Sequence, residues 1–472
     1  MKISNTQHKK SNITNSLAAG FMVLLLISLF SCNEWVQVDP PVTQLAGSNV
    51  YTSDATATSA TVGLYGRMME RTNTLFNGAL TLCSGFSSDE FTIQTTNTTY
   101  QEYYNNNLVP TNASIDALWT TAYNYIYHAN AVLEGLATST EISPKVHSQL
   151  EGEAKLVRAM ANFYLLNMFG DVPLVTTTSY SENAQVSRNA SADVYARIVQ
   201  DLKDAQALLG DAYVSANRAR PNKATATALL ARVYLYQGDW INAELMSKQI
   251  IGNSLYKLDT DLNHVFVFDS PETIWQLMPI APGTTNTGEG FMFVQTSGIP
   301  TYGSLSNSLL GSFEPGDARL TKWVKSYVRA PVTYYMPFKY KVKSAATVTE
   351  YYVVFRLAEQ LLICAEALAR QGKVSEAIQQ LDKVRQRAGI PLIQVTRPAI
   401  SANDLLIVIA HERRIELFME WGHRWLDLKR TNQQNDVLAP KPGWQASDAL
   451  YPIPLKQILN DPNMTGAQNP GY

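Results

Sequence analysis

Apolar positions recur with a 3.6-residue period along most of the chain after residue 50, which predicts a mainly α-helical protein. In IDALWTTAYNYIYHANAVLEGL, residues Leu118, Ala122, Tyr125, Ile126, Ala129, Val132 and Leu133 fall on one stripe. SDATATSATVGLYGRMME predicts a helix entered from Ser53 or Asp54 as N-cap. EGEAKLVRAMANFYLLNMFG predicts another, stopped by Gly170 and the following Pro173. SADVYARIVQDLKDAQALL opens on Ser191 as an expected N-cap, with Asp193 in its first turn.

Two later stretches repeat one design. ALLARVYLYQGDWINAELMSKQI and LLICAEALARQGKVSEAIQQLDKV superpose when Gly238 is set against Gly372, which matches Ala231 with Ala365 and Ala243 with Ala377. Each reads as helix, glycine turn, helix, with small residues where two helices approach closely. The arrangement is tetratricopeptide-like, helical hairpins stacked so that neighbours cover each other's apolar faces. No strict repeat period is kept, so the expected scaffold is a divergent helical-hairpin superhelix over about 50–72, 108–254 and 349–430.

The helical pattern fails over about 73–107 and 255–348. Gly, Pro, Thr and Asn dominate there, with aromatic residues interspersed, as in APGTTNTGEGFMFVQTSGIPTYGSLSNS. Irregular regions of this length are usually functional or disordered, and their aromatic content argues against disorder. The helices read as scaffold and these two regions as the working surface.

The N-terminus adds a compartment. Lys2, Lys9 and Lys10 precede an apolar run from Leu17 to Phe30, too short to span a bilayer. The layout is that of an export signal. Leu29-Phe30-Ser31-Cys32 resembles a bacterial lipobox, so residues 1–31 read as a lipoprotein signal peptide and Cys32 as the acylated anchor. The alternative is ordinary cleavage beside an incidental cysteine. Residues 32–472 show no linker and read as a single domain. The leader holds three lysines and no acid, so of 38 basic and 40 acidic residues it leaves 35 against 40. No basic stripe emerges, which disfavours nucleic acid as a partner. Charged residues make up 17%, against about 25% in average globular chains. Asn, Thr, Ser, Gln and 24 Tyr fill the difference, a composition suited to neutral hydroxylated ligands. Cys364 sits in the apolar LLICAEALA, where a buried thiol is the simplest reading, although a bond to Cys83 is open.

Signatures of catalysis are sparse. HERRI at 411–415 begins like a zinc-protease helix but carries Ile415 where the second histidine is required. Glu412, Glu416 and Glu420 recur every four residues with Arg413, Arg414 and Arg424 interleaved, which predicts ion pairs. Glycoside hydrolysis needs two carboxyl groups across a bond. Asp89 and Glu90 are adjacent and point apart on a strand, while a pair from distant positions stays open. No metal ligand set or cofactor motif is identified.

Taken in order, several segments resemble the SusD/RagB family of Bacteroidetes outer-membrane lipoproteins. They are NEWVQVDP after Cys32, VYTSDATATSATVGLYG, LWTTAYNYIYHANAVLEGL, GEAKLVRAMANFYLLNMFGDVPLV, RPNKATATALLARVYLYQGDW, FEPGDARLTKW, FRLAEQLLICAEALARQG, HERRIELFMEWGHRWLDLKR, YPIPLKQI and QNPGY. The resemblance implies a tetratricopeptide-like superhelix with long irregular ligand-facing loops. It also implies a role without catalysis. Such proteins are anchored on the outer face of the outer membrane, capture glycans, and pass them to a SusC-like TonB-dependent transporter. Some relatives handle peptides, which is the alternative function. Arg158, Gly170, Asp171 and Pro173, and Trp421, Trp425 and Asp427, are expected to be structural. Arg356, Glu359 and Glu366 are expected to share one ion-pair network.

Ligand residues in this family vary with substrate, so candidates come from composition and position alone. Aromatic rings suit the C–H faces of sugars, and Asn or Asp their hydroxyls. The candidates are Phe86, Asp89, Phe91, Tyr100, Tyr103, Tyr104 and Asn105 in the first irregular region, and Phe291, Phe293 and Tyr302 in the second. For any one ring, packing onto the helices is the competing explanation.

Overall fold

Local capping sets where the helices begin and end. The computed structural model describes residues 50–280, 286–296 and 298–472, so Cys32 and the leader lie outside the described residues. Its longer helices are α1 (Asp54–Met69), α2 (Ala79–Ser87), α3 (Thr98–Asn105), α4 (Ala113–Thr138), α5 (Pro144–Phe169) and α6 (Ser191–Leu208). After them come α7 (Lys223–Gln237), α8 (Trp240–Ile251), α9 (Leu357–Arg370), α10 (Val374–Ala388), α11 (Ala402–Glu416) and α12 (His423–Arg430). Ser53 is the N-cap of α1, its hydroxyl accepting from the Thr56 amide. Ser191 is not a cap, contrary to expectation. It is the first residue of α6, and its amide and hydroxyl both donate to the Asp171 carboxylate, at 2.8 and 2.6 Å. Asp171 therefore caps α6 from outside it, just beyond the turn at Gly170, whose φ of +75° suits glycine.

Asn112 caps α4, its side-chain oxygen accepting from the amides of Ser114 and Ile115. Its nitrogen donates to the Thr99 carbonyl at 3.0 Å and to Glu102 at 2.7 Å, tying α3 to α4. Asn112→Ala is expected to cost about 1–2 kcal/mol, read as a lower melting temperature.

Successive helices pack side by side from α4 through α10, and α11 lies against both α9 and α10. The two predicted hairpins are present. Gly238 and Gly372, with φ of +73° and +75°, make their turns. Ala231, Ala243, Ala365 and Ala377 are fully buried where the hairpin helices touch. Between α8 and α9 the chain leaves the array for about a hundred residues. It leaves and returns along one antiparallel pair, Thr273–Leu277 with Tyr352–Arg356, which keeps α8 and α9 in contact. Residues Tyr51–Tyr472 make one compact unit.

The region 73–107 is less irregular than its pattern suggests, since it holds α2 and α3. Every residue of α2, ALTLCSGFS, is buried. A helix covered on all sides has no polar face, so it shows no period. Cys83 and Cys364 are buried free thiols.

Two buried assemblies hold the core. Trp421 packs against Phe76, Tyr164 and Tyr352, with ring centroids 5.7, 5.9 and 5.0 Å away, and its indole donates to the Val353 carbonyl at 2.7 Å. The second is ionic. Glu412, Glu416 and Glu420 pair with Arg319, Arg356, Arg385, Arg387 and Lys339, all buried in the protein. The expected shared network of Arg356, Glu359 and Glu366 is corrected here. Arg356 joins Glu272, Glu416 and Glu420, while Glu359 pairs with Arg232 and Glu366 with Arg430. Arg356 is the N-cap residue at the start of α9, so its side chain diverges from those on the helix surface. Arg158 binds Asp201 and Asn130, fastening α5 to α6 and α4.

Candidate functional site

The two irregular regions meet. Phe91–Ile93 pairs antiparallel with Gly303–Leu305, with Phe91 opposite Leu305 and Ile93 opposite Gly303. The amides of Gln94 and Thr95 extend this contact by donating to the Tyr302 carbonyl, at 2.9 and 3.2 Å. Just before α2, the short helix Gly288–Phe293 presses onto Asn77. A Cβ on Gly288 would come within 2.0 Å of the Asn77 carbonyl oxygen, so only glycine fits. Thr81 donates to Glu289 at 2.6 Å across this junction, and Tyr352 does so at 2.8 Å.

Burial pushes the Glu289 carboxyl up to about 8, so it is protonated at neutral pH. A carboxyl raised in the folded state contributes stability that is complete below its unfolded pKa and is lost as pH rises through the folded value. Glu289→Gln keeps an acceptor for both hydroxyls but cannot ionise. Relative to wild type it should gain about 1 kcal/mol or more between pH 5 and 8, measured by urea unfolding across that range. A constant difference would show that Glu289 does not titrate there.

Beside the strand pair opens a cleft of about 290 Å³. One wall is Asn73, Thr74, Asn97, Thr99 and Tyr100; the other comes from α4, through Ser114, Ala117 and Thr121. No lining residue carries a charge. Asn73 has φ of +65° and donates to the Tyr100 hydroxyl at 2.6 Å, leaving its own side-chain oxygen enclosed with no donor. Burial pushes the Tyr100 phenol up to about 12, so it stays a neutral hydroxyl. Tyr302 stands edge-on to Tyr100 with centroids 5.6 Å apart. The cleft thus offers amides, hydroxyls and ring edges without a fixed charge.

The candidate residues divide. Tyr100 lines the cleft and half-buried Tyr302 adjoins it. Phe86, Phe91 and Phe293 are buried, not exposed platforms as expected. They form a chain of ring contacts beneath the strand pair, Phe86 to Phe91 at 5.3 Å and Phe91 to Phe293 at 5.6 Å. Tyr103 is buried against Tyr451. In each case the core takes the ring face that a sugar would need. Tyr104 and Asn105 are half-buried in the last turn of α3, with the Lys441 ammonium 5.4 Å from the Tyr104 ring. Phe291 is exposed, with the Lys343 ammonium 5.7 Å from its ring. Asp89 is taken by Arg424 and Arg414, each at 2.7 Å. Burial would raise its pKa, but these guanidiniums hold it below the usual carboxylate range.

Sequence reasoning missed the α4 wall. Ser114, Ala117 and Thr121 are small or polar at i, i+3 and i+7, a second stripe on the helix flanking the apolar one. That stripe was the available signal.

Comparison with known proteins agrees with this architecture. A family model described as starch-binding and associating with the outer membrane matches residues 35–235, and a SusD family model matches residues 318–472. SusD-like protein P2 of Formosa agariphila is 28% identical, over 95% of this chain and 98% of its own. A SusD-like protein of Bacteroides ovatus is 23% identical, over 84% of this chain and 79% of its own. Among solved structures, a laminarin-binding SusD-like protein superposes with a TM-score of 0.74 at 26% identity, covering 89% of this chain and all of that one. A SusD superfamily protein of Parabacteroides distasonis does so with 0.76 at 22% identity, covering 91% and 100%. Two family models matched in order, and relatives aligned along nearly the whole length, place this chain in the SusD/RagB family.

Proposed function

We propose that the protein is a glycan-capturing lipoprotein of the outer-membrane surface, holding an oligosaccharide or a stretch of polysaccharide in the cleft beside Tyr100 and Tyr302. The observation that carries this reading is the uncharged lining, in which the amides of Asn73 and Asn97, the hydroxyls of Thr99, Ser114 and Thr121, and the Tyr100 ring come together. A neutral sugar meets such a surface with C–H faces on rings and hydroxyls on amides. The similarity to a laminarin-binding protein supports a glycan over a peptide. The pair of carboxyl groups that glycoside hydrolysis needs is not among the lining residues, which supports binding without catalysis. Acylated Cys32 holds the protein at the outer membrane, facing the exterior, and a SusC-like TonB-dependent transporter receives the ligand. The anchor keeps donor and acceptor at high effective concentration without a tight interface.

Affinity electrophoresis of the full chain in detergent, through native gels cast with a polysaccharide panel that includes laminarin, tests the reading. Retardation by one glycan with no release of reducing sugar is expected. No retardation by any glycan, with heat evolved on adding peptides, would overturn it in favour of a peptide ligand.

A further inference from the structure

A second cavity, of about 240 Å³, lies between α9, α11 and α12. Arg370, Arg413, Arg414, Arg424 and Arg430 all line it. Three carboxylates answer these five guanidiniums. Glu366 takes Arg430 in a bidentate pair at 2.7 Å, Asp427 takes Arg413 and Arg430, and Asp89 takes Arg414 and Arg424 from behind. Glu90 also lies near Arg414 and Arg424, with its carboxyl pushed up to about 7 by burial, so the cluster keeps a net positive charge. Arg413 is 1% exposed, yet its Nη1 has no acceptor, and neither does Nε of Arg414. Arg370 stands at the exposed rim on the Trp240 ring, 5.2 Å from its centroid, with no carboxylate partner among the described residues. Leu406, Ile407 and Ala410 form an apolar wall opposite.

Enclosed guanidinium N–H groups without acceptors are costly, and planar forks of donors match oxyanions. We propose that this cavity is a second ligand site, which binds the sulfate or carboxylate group of an acidic glycan, or the corresponding free oxyanion. A cavity of about 240 Å³ has room for a single charged substituent and part of the sugar that carries it. The apolar wall suits the C–H face of the sugar that carries it. The inference is independent of the cleft beside Tyr100.

The test is a titration of the full chain in detergent with sodium sulfate, against sodium chloride at matched ionic strength, followed by melting temperature and calorimetry. Sulfate is expected to raise the melting temperature saturably beyond chloride. Ala410→Glu places a carboxylate inside the cavity. It should abolish the sulfate response and raise the melting temperature without added sulfate. Arg370→Gln, at the exposed rim and safe for folding, should weaken sulfate by about threefold, the value of one exposed charge. Ala117→Arg, in the neutral cleft, should leave the sulfate response unchanged, so the two sites fail or stand separately. Chondroitin sulfate and polygalacturonate fragments separate the sources: tighter binding than inorganic sulfate identifies a group carried on a glycan, and equal or weaker binding a free ion. Identical responses to sulfate and chloride, or an undiminished sulfate response in Arg370→Gln, would overturn the proposal.

Discussion

Arg356→Ala should lower the unfolding free energy by about 3–5 kcal/mol, the cost of stranding buried charges. Arg356 is 2% exposed at the junction of the returning strand with α9. It donates to Glu272 at 2.9 Å, to Glu416 at 2.5 Å and to both oxygens of Glu420 at 2.9 and 2.8 Å. It also donates to the Glu416 carbonyl at 2.8 Å, near the C-terminal end of α11. Three carboxylates therefore lose a shared counter-ion at once, while Arg319, Arg387 and Lys339 compensate only in part. Arg356→Lys keeps the charge but not the planar fork, and should fall between wild type and alanine. The measurement is the urea midpoint at unchanged slope. A loss below about 1 kcal/mol would mean that the network contributes specificity and not stability.

The same network sets an acid limit. Burial opposes ionisation of Glu416 and Glu420, but the surrounding guanidiniums win and hold both below the usual carboxylate range. A depressed carboxyl contributes stability present above its unfolded pKa and lost as pH falls through the folded one. The deficit of Arg356→Ala should therefore shrink below about pH 4.

Ala117→Arg should weaken glycan binding by about tenfold or more without lowering the melting temperature. Ala117 is exposed on α4 and lines the cleft opposite Tyr100. Arginine is nearly as good a helix former as alanine, so the helix is kept. Its side chain fills the cleft and brings a charge where no lining residue has one. Losing one or two buried hydrogen bonds to a ligand corresponds to about 1–3 kcal/mol, or roughly ten- to a hundredfold in affinity. Affinity gels with the glycan that retards wild type read the result. Unchanged retardation would place the glycan elsewhere, with exposed Phe291 as the next ring to test.

Much of the scaffold was legible in the chain because its signals are local. The stripe of Leu118, Ala122, Tyr125, Ile126, Ala129 and Val132 is buried along α4. Gly238 and Gly372 mark hairpin turns because a left-handed residue is needed there. The interleaved Glu and Arg of HERRIELFMEWGHR announced ion pairs, inside or at the surface, and the folded contacts put them in the interior. Helix α2 escaped notice because total burial erases the amphipathic period on which recognition depends.

The partners inside that interior, and the surface left for a ligand, were settled only by contacts between distant residues. Thr81 meets Glu289 across 208 positions, and Phe91 meets Leu305 through a strand pair that joins the two irregular regions. The aromatic content of those regions correctly marked an apolar demand. It could not tell Phe86, whose ring the core consumes, from Tyr302, which adjoins the cleft. The physical reason is that a ring covering a core and a ring covering a sugar satisfy the same hydrophobic requirement, and only the folded neighbours determine which face remains open.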